Sequence, residues 1–248
     1  MLSHKAWSGH AVFRLFLGVF STYCFGNLIV GLLYHFKIGL TEQTRGVLSL
    51  LVSLVFLQAT AGLWIAVFLR ENNMTWRDGF GFGRANSWFA IGIGLLAGML
   101  VVPIAQGMMM LSEWGMNSLH LHPVAQQVVQ EMQKPQMPGY QRSLLALLAI
   151  VGAPVVEEGL FRGLMYPTIK QAGYPRLALW VTSIIFAATH VTLVTFVPLA
   201  FFSVVLILLY EATDNLLAPI AAHSMFNFAN FLLLMFQDQL NRALPPMH

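Results

Sequence analysis

Residues 143–169 read SLLALLAIVGAPVVEEGLFRGLMYPTI. The stretch is apolar and long enough to cross a bilayer, which takes about 20 such residues in a helix. Yet Glu157, Glu158 and Arg162 sit near its middle. An ionisable group there costs roughly 2.5–3.5 kcal/mol on insertion scales, and such residues are as a rule functional. Adjacent positions of a helix point about 100° apart. Glu158 and Arg162 are one turn apart on one face and can pair. Glu157 shares its face with Phe161 and has no charged partner there. Pro154, just before the pair, removes a backbone donor that neighbouring helices can replace. Gly152, Gly159 and Gly163 let other backbones approach closely.

The same character extends outward. The chain has 248 residues, 57% hydrophobic and only 9% charged, against about a quarter charged in soluble domains. Its mean hydropathy is +0.69. Apolar stretches at 11–36, 46–69, 88–111, 143–169, 176–191, 193–210 and 216–236 predict an all-α fold: one polytopic transmembrane helix bundle of about seven to eight helices, a single domain over 1–248. Gly94 and Gly98 have the spacing of a close-packing pair. The first stretch is too long for a signal-peptide core and is expected to stay as a span. Between 113 and 142 the chain turns polar. Val124, Ala125, Val128, Val129 and Met132 form one face of a helix over 123–134, opposite Gln126, Gln127, Gln130 and Glu131. It is expected to start at Pro123, to end before Pro135, and to lie in the headgroup region as a connector or a substrate gate.

Composition also excludes classes. One cysteine, Cys24, rules out an internal disulfide framework and multi-cysteine metal sites. The net charge of +3 is scattered over short loops and reads as a topology signal, weakly favouring a cytoplasmic N-terminus. The basic and aromatic patch of a nucleic-acid binder is missing. The expected partners are the lipid bilayer and whatever enters it.

Among eight histidines, His190 and His223 fall inside expected spans. His223 and Asn227 share a face, one turn apart, as do Phe186 and His190. Two neutral donors side by side suit an oxyanion. A carboxylate base, a water-orienting imidazole and an oxyanion pair make a set that hydrolyses an amide with water as nucleophile. No Gly-x-Ser-x-Gly elbow and no His-Glu-x-x-His motif occurs. Glu157, His190 and His223 could alternatively ligate one zinc ion with an open position. The candidate catalytic residues are Glu157, Glu158, His190, His223 and Asn227, with Arg162 and Phe186 in support, in a core over 143–236.

Three motifs in order, Glu157-Glu158-Gly-Leu-Phe-Arg162, Phe186-Ala-Ala-Thr-His190 and His223-Ser-Met-Phe-Asn227, resemble the CAAX-protease and bacteriocin-processing (Abi) family of intramembrane proteases. The resemblance covers about 143–236; residues before it match only as apolar helices. It implies a helical bundle with its site in the bilayer, the first glutamate as base, His190 positioning water, and His223 with Asn227 around the oxyanion. It implies a peptide or protein substrate within the membrane. Metal-free and zinc mechanisms have both been described for the family, and the presence of Asn227 beside His223 favours the metal-free one. The short chain points to a prokaryotic plasma (inner) membrane, which makes a prenylated substrate the less expected one. A non-catalytic immunity protein and an ion-coupled transporter are the rival classes; either would show no peptide cleavage dependent on Glu157.

Overall fold

The computed structural model describes residues 2–5, 7–36, 42–122, 125–135 and 137–243, and every regular element among them is a helix. In chain order they are α1 (Gly9–His35), α2 (Glu42–Glu71), α3 (Trp76–Phe80), α4 (Ser87–Ser118), α5 (Gln127–Met132), α6 (Gly139–Gln171), α7 (Pro175–Ala188), α8 (Leu193–Thr213) and α9 (Leu217–Ala243). Six of them, α1, α2, α4, α6, α8 and α9, are apolar and long enough to cross a membrane, a span of α2 beginning at Leu54. The seventh expected span is α7, apolar but only 14 residues long. At 1.5 Å per residue it reaches about 21 Å, short of a core about 30 Å thick. It stops at Ala188, so His190 stands in the turn that follows and not within a span. Val191 in that turn has φ 53, a conformation a β-branched residue seldom adopts.

Small residues set the packing. A Cβ on Gly94 or Gly98 would collide with the carbonyl of Ala218 or Ala222. The Gln106 amide donates to Asn230 at 2.6 Å. These pairs advance together along both chains, so α4 and α9 run parallel at very close range, as the glycine spacing predicts. α1 and α2 are antiparallel instead, with Gly18 under the Trp64 ring and Gly26 under Phe56. The hairpin docks on α6 through the Trp7 indole, which donates to Thr168 at 3.1 Å.

The polar interval folds differently from its sequence pattern. The amphipathic helix is confined to Gln127–Met132; Pro123 and Val124 lie outside the described residues. Glu131, expected on the wet face, is buried, with Lys134 on its carboxylate at 2.6 Å. Met132 joins Met137, Leu145 and Ala146 in an apolar cluster that Phe231 and Leu234 of α9 also touch. The segment is thus folded against the end of α6 and α9, where burying Met132 carries its neighbour Glu131 inward.

Candidate functional site

The site is built on an irregular stretch of α6. The residues Ala153–Glu158 form one α-helical turn between two π-helical ones, Leu148–Gly152 and Gly159–Met165. Such π-turns recur at functional sites because they re-aim side chains. In the first, the Ala153 N–H donates to the Leu148 carbonyl five residues back. Two side chains from other helices reach the same turn. The Gln58 amide of α2 donates to the Leu148 carbonyl at 3.3 Å, and the Asn227 amide of α9 donates to the Ala149 carbonyl at 2.7 Å.

One turn on, Glu158 and Arg162 are fully buried and paired, Nη1 to Oε1 at 3.0 Å. Arg162 also donates to the Ser203 hydroxyl of α8 at 2.7 Å and to the Ser203 carbonyl at 3.3 Å. Its guanidinium lies 4.3 Å above the Phe186 ring, a favourable stack for a cation out of water. The i, i+4 spacing predicts the pair; the third member is new. His223 places Nδ1 at 2.8 Å from the same Glu158 oxygen. That oxygen already accepts from Arg162, so Nδ1 donates to it and the other ring nitrogen, Nε2, is turned outward. Nε2 lies 3.9 Å from Oε2 of Glu157. Glu157 Oε2 is buried with no hydrogen-bond partner, while its side chain as a whole stays 30% exposed.

Phe186 is the hub. It is fully buried, with ring centroids 5.1 Å from His190 and 5.7 Å from His223. Phe161 packs edge-on against it at 5.4 Å, and Phe202 flanks His223 at 5.6 Å. The His190 Nδ1 lies 2.9 Å from the Phe186 carbonyl. A carbonyl only accepts, so Nδ1 carries the hydrogen and Nε2 of the neutral ring is left as an acceptor.

The structure therefore gathers Glu157, Glu158, Arg162, Phe186, His190 and His223 in one place. Asn227 stands a turn away on α9, holding the α6 backbone. Among the described residues no three His, Cys, Asp or Glu side chains converge as metal ligands. In both histidines Nδ1 is engaged, on the Phe186 carbonyl for His190 and on Glu158 for His223, which leaves Nε2 as the nitrogen that could face a ligand. Ser203 and Gln58 do not stand out in the sequence. Their signal is faint: a lone polar residue in an apolar helix, without a motif around it.

Residues 140–229 match a family model described as type II CAAX prenyl endopeptidase Rce1-like. This segment is similar to the Rce1-like family. It spans α6 to the middle of α9 and holds each residue of the three motifs. The match points to a protease, and six helices apolar and long enough to cross a membrane support an integral membrane protein. Comparison with curated proteins and with solved structures gives no match.

Proposed function

We propose that the protein is an intramembrane endopeptidase of a prokaryotic plasma membrane, cleaving membrane-associated or hydrophobic peptides without a metal. The observation that carries this reading is Glu157: a partly accessible carboxylate with an unpartnered oxygen turned toward the free nitrogen of a histidine. Water is the nucleophile. Glu157 takes one of its protons as the oxygen attacks the peptide carbonyl carbon. His190 Nε2 accepts the other water hydrogen and orients the lone pair. The carbonyl oxygen becomes an oxyanion, met by Nε2–H of His223 and by the second N–H of Asn227. A donor at Nε2, with Nδ1 already donating to Glu158, is an imidazolium. Glu158 behind the ring fixes its orientation and stabilises that charge, as a buried carboxylate does for a catalytic histidine. Collapse breaks the C–N bond, and the departing amine takes the proton held by Glu157.

The test compares N- and C-terminal peptides from cells expressing the wild type or Glu157→Gln. Termini present only with the wild type are the expected result and identify the substrate. Identical terminal peptides overturn the reading. In purified form the activity is expected to survive exhaustive chelation. Loss that zinc alone restores would replace the proposed mechanism with a metalloprotease one.

A further inference from the structure

Asn227 does something on α6 that an oxyanion donor alone has no reason to do. Neither the α-helical nor the π-helical backbone donor is available to the carbonyl of Ala149. In an α-helical turn it would accept from Ala153, but that N–H goes to Leu148. In a continued π-turn it would accept from residue 154, and residue 154 is proline, which has no N–H. A carbonyl without a partner is costly away from water. The Asn227 amide supplies the missing bond at 2.7 Å. Its carboxamide is planar, so fixing one N–H fixes the direction of the other.

We infer that Pro154 is a positioning residue: by leaving the Ala149 carbonyl open, it orients Asn227 toward the reacting carbonyl. The inference rests on the proposed function for its catalytic consequence, but the coupling of residues 154 and 227 stands on the backbone geometry alone. Pro154→Ala and Pro154→Ser each restore an N–H that competes for the Ala149 carbonyl and frees the Asn227 side chain to rotate.

The experiment is a double-mutant cycle on the full chain in lipid nanodiscs. Thermal stability is one readout. Cleavage of quenched fluorogenic peptides with a CAAX-type C-terminus, farnesylated and not, is the other, alongside the natural substrate once its termini are known. Asn227→Ala is expected to lower the melting temperature with Pro154 present, and to leave it nearly unchanged in the Pro154→Ala or Pro154→Ser background. Pro154→Ala alone is expected to lower kcat by roughly ten- to a hundred-fold with KM unchanged, as misorientation of a catalytic group does. In the Asn227→Ala background it is expected to cost no further activity. Stability losses that add, an undiminished kcat in Pro154→Ala, or failure of both position-154 variants to fold would each overturn the inference. Wild-type levels of cleavage in Glu157→Gln would instead overturn the proposed function, and the stability cycle would still decide the role of Pro154.

Discussion

Two charged clusters hold this bundle together, and they are built to opposite rules. The one at the bundle end centres on Asp214, between α8 and α9. Its side chain accepts from the Ser3 N–H at 3.1 Å, the Ser3 hydroxyl at 3.0 Å and Arg84 at 2.6 Å, while Arg84 also holds the Asp214 carbonyl at 2.7 Å. Lys5, fully buried, donates to the Ser3 hydroxyl at 3.1 Å. Beside it, Glu211 accepts from Tyr166 at 2.8 Å and from Lys170. The carboxylate of Asp214 is surrounded by donors. Inside the bundle, Glu157 Oε2, Glu158 Oε2 and Arg162 Nε are buried without partners. The first cluster satisfies the carboxylate at its centre. The second, the proposed site, keeps capacity for a group that comes and goes. The motifs alone do not draw this distinction, because both clusters pair carboxylates with basic side chains.

Arg162→Ala removes the cation from Glu158 and the donor from Ser203, and is expected to lower folding free energy by about 3–5 kcal/mol, the cost of stranding a buried charge. The yield of folded protein in detergent measures it, and a normal yield would show that Glu158 does not need its partner. Glu157→Gln keeps size and hydrogen bonding but cannot take a proton. Cleavage is expected to fall by about 10²-fold or more, with melting temperature nearly unchanged. If the glutamine variant instead unfolds while Arg162→Ala accumulates, the two glutamates have the reverse roles.

Asp214→Asn tests the other cluster. It is expected to cost about 1–2 kcal/mol of stability, the worth of a charge-assisted hydrogen bond, and to leave kcat at its wild-type value. A drop in kcat at equal stability would mean that the two clusters communicate. The smallest effect is in pH. Burial pushes the Asp214 carboxyl up, but hydrogen bonds from Arg84 and from the N–H and hydroxyl of Ser3, with the charge of Lys5, outweigh it and hold it below its ordinary value of 3.8. A carboxyl lowered on folding adds stability that is complete above the ordinary value and is lost as pH falls through the lowered one. The difference in melting temperature between wild type and Asp214→Asn should therefore hold at neutral pH and close in strong acid. A gap that is already closed at pH 6 would contradict the assignment.

The sequence carries the spans and the three motifs because hydrophobic length and helical spacing are local properties. It shows that Glu158 meets Arg162, a relation within one helix. It does not show that His223 completes the pair, since 65 residues separate it from Glu158. The π-turn before the glutamates is invisible for a related reason. It depends on which backbone groups find donors on α2 and α9, and Gln58 and Asn227 answer that only in three dimensions. His190 reads as part of a span because the apolar run continues through it, whereas the chain turns at Val191 with positive φ. Lys5 and Glu131, polar and near loops, give no sign in the sequence that they are buried.

The parallel contact of α4 with α9 sets a timetable. Gly94 and Gly98 meet Ala218 and Ala222, so the surface that receives α9 is synthesised and inserted long before α9 itself. Until then α6 lies in the membrane with Glu158 lacking His223 and with the Ala149 carbonyl lacking Asn227. During translation the chain thus holds Glu157, the proposed base, and its charges, but neither of the α9 groups proposed to meet the oxyanion. A ribosome stalled before Leu217 should display a membrane protein that cuts nothing, and release of the remaining helix should switch it on.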